Sequence, residues 1–423
     1  ATTLYRYIQS AKITLPTDNA KIDKFSDEKD FPQYAKAPIE ALRKAGIYAG
    51  KDEGRFGYND PLNRAEAYTT IINFLEIVEG NTDKPENPQT EPLKYEKKTV
   101  STGYGNVTAD IITVDMSSPK VRVEAKLVNN TVGQTAKFSD IIAASSAKAI
   151  VCSNFFESNA AFKAPIGHVM TDGQFRYGST GVPAFGFTND NKIKVGKPAM
   201  FFRVYNTANK AEQWPTYELN TAAQTYYNSI TYTPSFGSSV KITGAGTIVV
   251  VENSVITAVR PAVIGEAAPI PSNGYILWLG EDYISTDYYR APKTGTRVAF
   301  EPYLFKEDEE GFTLDGVTSL VSGGPRLVKD GAIVTELDPG FTGERFTTMV
   351  APRTAIGVLP NGNLVIVSLA AASVNQMRGL MLALGCEDAI NLDGGGSTAM
   401  YYNGATIRSP GRQLTTTLQV FVD

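Results

Sequence analysis

Apolar positions in the first eighty residues recur at helical intervals. Ile39, Leu42 and Ala45 share one side of the stretch 37–47, which stops at Gly46 in the manner of a C-terminal cap. Asn63 opens a second helical stretch, with Glu66 three residues on as in a capping box, and Ile71, Ile72, Phe74, Leu75 and Val78 supply its apolar stripe. Residues 80–98 break the pattern; they are polar, aperiodic and carry Pro85, Pro88 and Pro92, which predicts a linker. From about residue 99 the period shortens to two. Residues 111–116 and 121–127 predict strands around a Ser-Ser-Pro turn, and 136–148 predicts a short helix. The apolar run 149–153 predicts a buried strand that delivers Asn154, and 165–174 a strand ending at Asp172-Gly173.

Many short strands follow over 180–320, among them 247–251, 255–259, 275–279 and 296–300, while 205–245 reads as an insertion or lid of undecided type. Gly323-Gly324-Pro325 falls between two further strands. Residues 352–367 predict a hairpin through Asn361-Gly362, 374–384 a helix ending at Gly385, and 415–422 a last strand. The fold class this predicts is α+β: a mixed, strand-rich domain with packed helices, behind a small all-α N-terminal segment.

Composition narrows the field. The chain has 423 residues, is 42% apolar and 20% charged, and carries a net charge of −4, which suits a core-forming globular protein and not a general nucleic-acid binder. No apolar run reaches the roughly 18–20 residues needed to span a bilayer. The opening Ala-Thr-Thr-Leu has neither an initiator Met nor a signal-peptide pattern, and suggests a processed or truncated start. Two cysteines, Cys152 and Cys386, are too few for a disulfide framework or a Cys-based zinc site; two buried thiols or one disulfide would fit. With one histidine, His168, no His/Cys metal motif exists. No cofactor is expected, and a carboxylate–oxygen site for Ca²⁺ or Mg²⁺ stays open.

The stretch 389–400 stands out: an apolar lead-in, then Asp393, then Gly394-Gly395-Gly396, then Ser397-Thr398. Consecutive glycines are entropically expensive and imply positive φ angles or the close approach of another group. Glycine N–H groups can form a concavity for phosphate or sugar oxygens; a tight turn is the plainer alternative.

Two family resemblances organise these signals. The first covers about 55 residues: Phe25-Ser26-Asp27, Tyr34-Ala35, Ala45-Gly46-Ile47-Tyr48-Ala49-Gly50, Phe56 within 54–61, and Asn63-Arg64-Ala65-Glu66-Ala67 resemble the S-layer homology module. The family usually has Thr at the position of Asn63, and both residues cap helices. The stretch 2–8 parallels 69–75, like the tail of a preceding module. This resemblance implies a partner, cell-wall polysaccharide, with Arg64 contacting glycan; a solvated helix-start residue is the alternative reading of Arg64.

The second resemblance covers about residues 100–423. Asn154-Phe155-Phe156, Asp172-Gly173, Ser322-Gly323-Gly324-Pro325, Arg353-Thr354-Ala355-Ile356-Gly357, Asn391-Leu392-Asp393-Gly394-Gly395-Gly396-Ser397 and Pro410-Gly411-Arg412 are similar, in order, to the phosphodiester glycosidase family. Two departures stand: 369–373 reads Leu-Ala-Ala-Ala-Ser where the family usually carries Asp-Gly-Arg, and Ser322 replaces a glycine. The domains expected are an S-layer homology segment over 1–79 (a full module at about 22–79 and the tail of another), a linker over 80–98 and a glycosidase-like domain over 99–423.

The resemblance implies hydrolysis of sugar-1-phosphodiesters resembling GlcNAc-1-phosphodiesters, on cell-wall or capsular polymers, by an extracellular, surface-attached enzyme that is neither transmembrane nor a nucleic-acid binder. Such chemistry needs a carboxylate at the anomeric carbon and a cation matched to phosphate oxygens. Asp393 is the leading carboxylate and Asp172 the second; Arg353 is the phosphate clamp and Arg412 the second cation. Asn154 positions the substrate, Gly323, Gly324, Gly394, Gly395 and Gly396 form a cradle, and Ser397 donates a hydrogen bond. Each also has a structural reading, Asp172 as a turn residue, Arg353 as an ion-pair partner. Asp393→Asn is expected to abolish hydrolysis with little change in Tm. The rivals are a non-catalytic wall-binding protein and a phosphodiesterase that breaks the P–O bond.

Overall fold

A computed structural model describes residues 1–51, 54–60, 67, 69–71, 73–74, 77, 91–179, 181–222, 224, 229–281, 291–304, 312–338 and 340–423. The chain divides into two compact units, 1–90 and 91–423. The expected linker is cut short at its C-terminal end. Leu93–Thr102 is a strand paired along its whole length with Gly105–Val114, so residues 93–98 belong to the second unit. Lys94, Glu96 and Lys98 made this edge strand look like polar linker.

In the first unit the described residues include the helices Thr2–Ser10 and Gln33–Lys44. The second begins four residues before the expected start and runs through Pro38, with Pro32 in an extended conformation just ahead of it. It ends before Gly46, whose φ of +79° is left-handed and where a Cβ would lie 2.6 Å from the Asn19 carbonyl oxygen. Ile8, Leu42, Ala45, Ile47 and Phe74 form one core, and Phe25, Phe31, Ala35 and Ile39 another. The Asp27 carboxylate accepts the N–H groups of Phe56 (2.8 Å) and Gly57 (2.9 Å), which fixes the loop that presses Phe56 onto Phe25 and Phe31. Arg64 and its capping motif lie outside the described residues.

The second unit is strand-rich with few helices. Its central sheet has seven antiparallel strands in the order Leu93–Thr102, Gly105–Val114, Leu364–Ala372, Ala351–Val358, Asp388–Asn391, Arg326–Lys329 and Ala332–Ile333. The pleat sorts its side chains. Val107, Ala109, Ile111, Val365 and Val367 meet Met377, Leu380 and Met381 of helix Val374–Ala383. Ile112, Val114, Leu364 and Ile366 point the other way, into a core shared with two five-stranded sheets. One runs Ala405–Arg408, Met400–Tyr402, Ala149–Cys152, Thr416–Val422, Val121–Leu127. The other runs Gln174–Tyr177, Val169–Thr171, Val317–Ser322, Ala184–Thr188, Ile193–Gly196.

The expected hairpin through Asn361-Gly362 forms, with Val358 opposite Leu364. Gly323-Gly324-Pro325 does connect two strands, but these lie in different sheets, so the segment carries the chain from one layer to another. The puzzling stretch 205–245 is largely sheet in its described residues, with strands Met200–Asn206, Asn209–Thr216, Ser229–Tyr232 and Ser239–Lys241. The departure at 369–373 has a local role: Ser373 caps helix Val374–Ala383 in a capping box with Gln376. Cys152 and Cys386 are buried free thiols in separate cores.

Candidate active site

The strand Asp388–Asn391 is buried on both faces and runs directly into the glycine loop. Three constraints hold the exit. The Asp393 N–H donates to the Ser153 carbonyl (2.9 Å), the Leu392 N–H to the Thr354 carbonyl (2.9 Å), and the Cys152 thiol to the Asp393 carbonyl (3.3 Å). Asp393 therefore emerges where the seven-stranded sheet meets the ends of Ala149–Cys152 and Thr416–Val422.

Each glycine of the loop has its own reason. A Cβ on Gly394 would lie 2.9 Å from the Pro352 carbonyl oxygen; Gly395 has φ of +57°; a Cβ on Gly396 would lie 2.8 Å from the Arg412 Nε. The guanidinium of Arg412 thus overlies Gly396, and its turn is tied to the loop by the Gly411 N–H donating to the Gly396 carbonyl (2.8 Å). Among the described residues no acceptor receives the N–H of Gly395 or Gly396. Two N–H groups and an exposed guanidinium beside one loop make a site for an anion.

Asp393 is buried, with 8% of the residue exposed. Burial raises its carboxyl from the ordinary 3.8 to about 7, while the Ser397 hydroxyl, the Gly394 N–H and the charge of Arg412 pull downward without cancelling the effect. Gly394 donates its N–H to Oδ1 at 2.8 Å. The Ser397 hydroxyl lies near enough to act on the carboxyl yet meets hydrogen-bond geometry with no protein group. It is one of several buried oxygens in that position: Ser153 Oγ, Asn154 Oδ1, Asn391 Oδ1, Thr398 Oγ1 and Thr415 Oγ1 are likewise unpartnered. Buried polar atoms are normally satisfied, so orphans gathered along the segments that meet at Asp393 suit a hydroxyl-rich ligand. Asn154 is buried and fixed by its Nδ2, which donates to the carbonyls of Ile166 and His168 (both 3.1 Å).

Ser153, Asn391, Thr398 and Thr415 had no role in the sequence reading. The one available signal was that Ser153 and Thr398 adjoin residues already singled out.

Three expectations are corrected. Asp172 is a turn residue with φ of +51°, half exposed and paired with Lys126 (3.4 Å) and Arg176 (3.7 Å). Its strand, Val169–Thr171, places it about 13 Å along the chain from His168, at roughly 3.3 Å per residue, and His168 is the end that touches Asn154. Asp172 thus lies on an ion-paired turn, at the other end of this strand from the residue that touches Asn154. Arg353 is not a free phosphate clamp. It is buried; its Nε donates to the Ala372 carbonyl (3.2 Å) and its Nη2 to those of Arg345 (2.8 Å) and Met349 (2.7 Å). Gly323 and Gly324 offer no N–H to a ligand, because theirs go to the carbonyls of Pro183 (2.9 Å) and Asn391 (2.7 Å). Gly324 holds Asn391, whose Nδ2 donates back to the Gly324 carbonyl at 2.7 Å.

Arg353 and Gly324 still shape the site. Two of the carbonyls that Arg353 binds, those of Arg345 and Met349, belong to a strap, 340–350, whose Phe341 and Phe346 pack on Phe155 next to Asn154. The Phe341 ring also fills the space a Cβ on Gly324 would take. His168 is fully buried, and burial lowers it to about 4, leaving it neutral. Among the described residues no group of three His, Cys, Asp or Glu side chains is placed to hold a metal ion.

Residues 245–421 match the model of the family described as phosphodiester glycosidase, and residues 24–67 that of the S-layer homology domain. The chain thus carries, in order, a segment similar to the S-layer homology domain and one similar to the phosphodiester glycosidases. The glycosidase match contains Arg353, Asp393, the glycine loop and Arg412; Asn154 precedes it. Two solved structures share the fold. A hypothetical protein from Synechocystis aligns with a TM-score of 0.68 and 24% identity, over 79% of this chain and 63% of that one. A Burkholderia pseudomallei protein named as a candidate exported protein aligns with a TM-score of 0.59 and 20% identity, over 75% and 74%. The catalytic domain of zebrafish N-acetylglucosamine-1-phosphodiester alpha-N-acetylglucosaminidase, auto-inhibited by its pro-peptide, reaches a TM-score of only 0.43 at 14% identity, over 79% and 85%. No curated protein sequence matches the chain.

Proposed function

We propose that the glycosidase domain hydrolyses sugar-1-phosphodiesters at the anomeric C–O bond, and that the S-layer homology segment holds it on cell-wall polysaccharide at the cell surface. The observation that carries this reading is the pairing of a buried Asp393, raised to about 7, with an anion cradle made by Arg412 and the N–H groups of Gly395 and Gly396.

In this mechanism the phosphodiester sits on the cradle and the sugar over Asp393. The carboxylate takes a proton from water as the water oxygen bonds to the anomeric carbon. The bond from that carbon to the phosphate oxygen breaks, and the leaving phosphate keeps the electron pair. That leaving group is already stabilised as an anion, so one carboxylate suffices and no second acid is required, in keeping with the position of Asp172. Asn154 and the unpartnered hydroxyls of Ser153, Ser397 and Thr398 bind the sugar. A group titrating near 7 gives an activity that rises as pH passes through that value and then levels off.

The test is turnover of methyl α-GlcNAc-1-phosphate in ¹⁸O-water by the full chain. Label in the sugar supports the glycosidase reading; label in the phosphate indicates a phosphodiesterase; binding without product indicates a non-catalytic wall protein. Cosedimentation with purified cell walls, compared with Arg64→Ala, tests the anchor: wild type pelleting no better than the variant would remove Arg64 from it.

A further inference from the structure

Arg412, which overlies the glycine loop, also borders a second hollow. Beyond Arg412 lies a depression of about 450 Å³. Lys137 and Ser139, at the start of the helix Phe138–Ala143, line part of it; Thr406, Ser409, Arg412 and Gln413 line the rest. Its charge is one-sided, with two cations and no carboxylate in the lining. Asp140, next on the helix, lines a separate depression with Glu124 and Gln419. Among the described residues neither Lys137 nor Arg412 is in an ion pair, whereas Lys126, Arg176, Arg260 and Arg408 all are. A lone surface lysine is ordinarily just solvated. Lys137 differs in sharing one concavity with the guanidinium that overlies the glycine loop.

We propose that this depression receives the leaving alcohol of the phosphodiester, and that Lys137 selects an alcohol carrying a second phosphate, as one unit of a polyol-phosphate chain does. The inference rests on the glycosidase reading above. Arg412 and the glycine N–H groups hold the scissile phosphate. The alcohol then passes the hydroxyls of Thr406 and Ser409 and the amide of Gln413, which suit a polyol, while the Ser139 hydroxyl donates to the Asp140 carboxylate (3.2 Å). Lys137 meets the next anion as a compact, mobile charge. The Gln413 Oε1 accepts from Thr135 (2.6 Å), which leaves its amide N–H groups for the ligand.

Two substrates decide it: methyl α-GlcNAc-1-phosphate, and the diester of GlcNAc-1-phosphate with glycerol 3-phosphate through a glycerol hydroxyl. Wild type is expected to prefer the second by about tenfold in kcat/KM, the size of one charge-assisted contact. Lys137→Ala brings that ratio near one, mainly through KM, and Lys137→Arg keeps most of it. Equal rates by wild type on both substrates, or a preference that survives in Lys137→Ala, overturns the assignment. If wild type cleaves neither substrate, the glycosidase reading fails and this inference falls with it. Cleavage of both without discrimination leaves the glycosidase reading standing and sinks this one alone.

Discussion

The amide of Asp393 donates to the carbonyl of Ser153 at 2.9 Å, and this bond joins the exits of two strands from different sheets. It sets the carboxyl in a buried position where the charged form is disfavoured. Asp393→Asn should lower turnover of a sugar-1-phosphodiester by at least about a hundredfold, the usual range for loss of a general base. It should also raise Tm at pH 8, because it removes a buried charge. The rise should be a few degrees, on the order of 2–4 °C for each kcal/mol. The structure thus replaces the sequence-based expectation of an unchanged Tm. Calorimetry beside the assay checks both halves, and a lower Tm in the variant would count against the buried carboxylate.

Asp393 and His168 tilt stability in opposite directions over the same pH window. The Asp393 pKa is raised by burial from 3.8 to about 7, so its contribution is fullest below 3.8 and is lost as pH rises through 7. The His168 pKa is lowered by burial from 6.5 to about 4, so its contribution is present above 6.5 and is lost as pH falls through 4. Wild type should therefore show a muted pH dependence between 4 and 7. Asp393→Asn should become less stable on acidification, and His168→Gln more stable relative to its own value at pH 7. Denaturant midpoints at pH 4.5, 5.5 and 7 give these slopes. Parallel slopes in all three proteins would refute the pairing.

The two arginines beside the glycine loop should fail differently. Arg353→Ala leaves three backbone carbonyls without their donor and frees the 340–350 strap, so stability should drop by about 2–4 kcal/mol. Limited proteolysis should then cut within the strap. Arg412→Ala removes an exposed guanidinium that makes no hydrogen bond or ion pair among the described residues, so Tm should hold while kcat/KM falls. An Arg412→Ala variant that matched wild type in kcat/KM would exclude it from phosphate binding.

Single methyl groups probe the loop. Gly394→Ala drives its Cβ to 2.9 Å from the Pro352 carbonyl oxygen, a backbone atom that cannot swing away, and should destabilise the fold. Gly396→Ala meets only the end of the Arg412 side chain, at 2.8 Å, and can displace it. Its signature should be near-normal Tm with a raised KM. If the two variants behave alike, the loop's glycines do not divide their roles as described.

Much of this architecture was legible because it is local. Alternation in 121–127, the Asn361-Gly362 turn, the spacing that ends at Gly385 and the run into Asp393 depend on neighbours within a few residues, where side-chain period and backbone freedom act directly. Position along the chain also named Asp393, Asn154, Ser397 and Arg412. What it did not separate were residues whose meaning depends on distant partners. Arg353 reads as a free cation until the carbonyls of Arg345, Met349 and Ala372 close around it. Gly323 and Gly324 read as an open cradle until Pro183 takes the N–H of the first, and Asn391 takes that of the second and donates back to its carbonyl. Asp172 and Asp393 are both carboxylates followed by glycine, and only burial makes one of them titrate near 7. The sequence by itself determined the two-part organisation and the local elements whose signals lie within a few residues. Tertiary structure decided which groups are left unpaired, since desolvation and hydrogen-bond satisfaction depend on what the rest of the chain brings within about 3 Å.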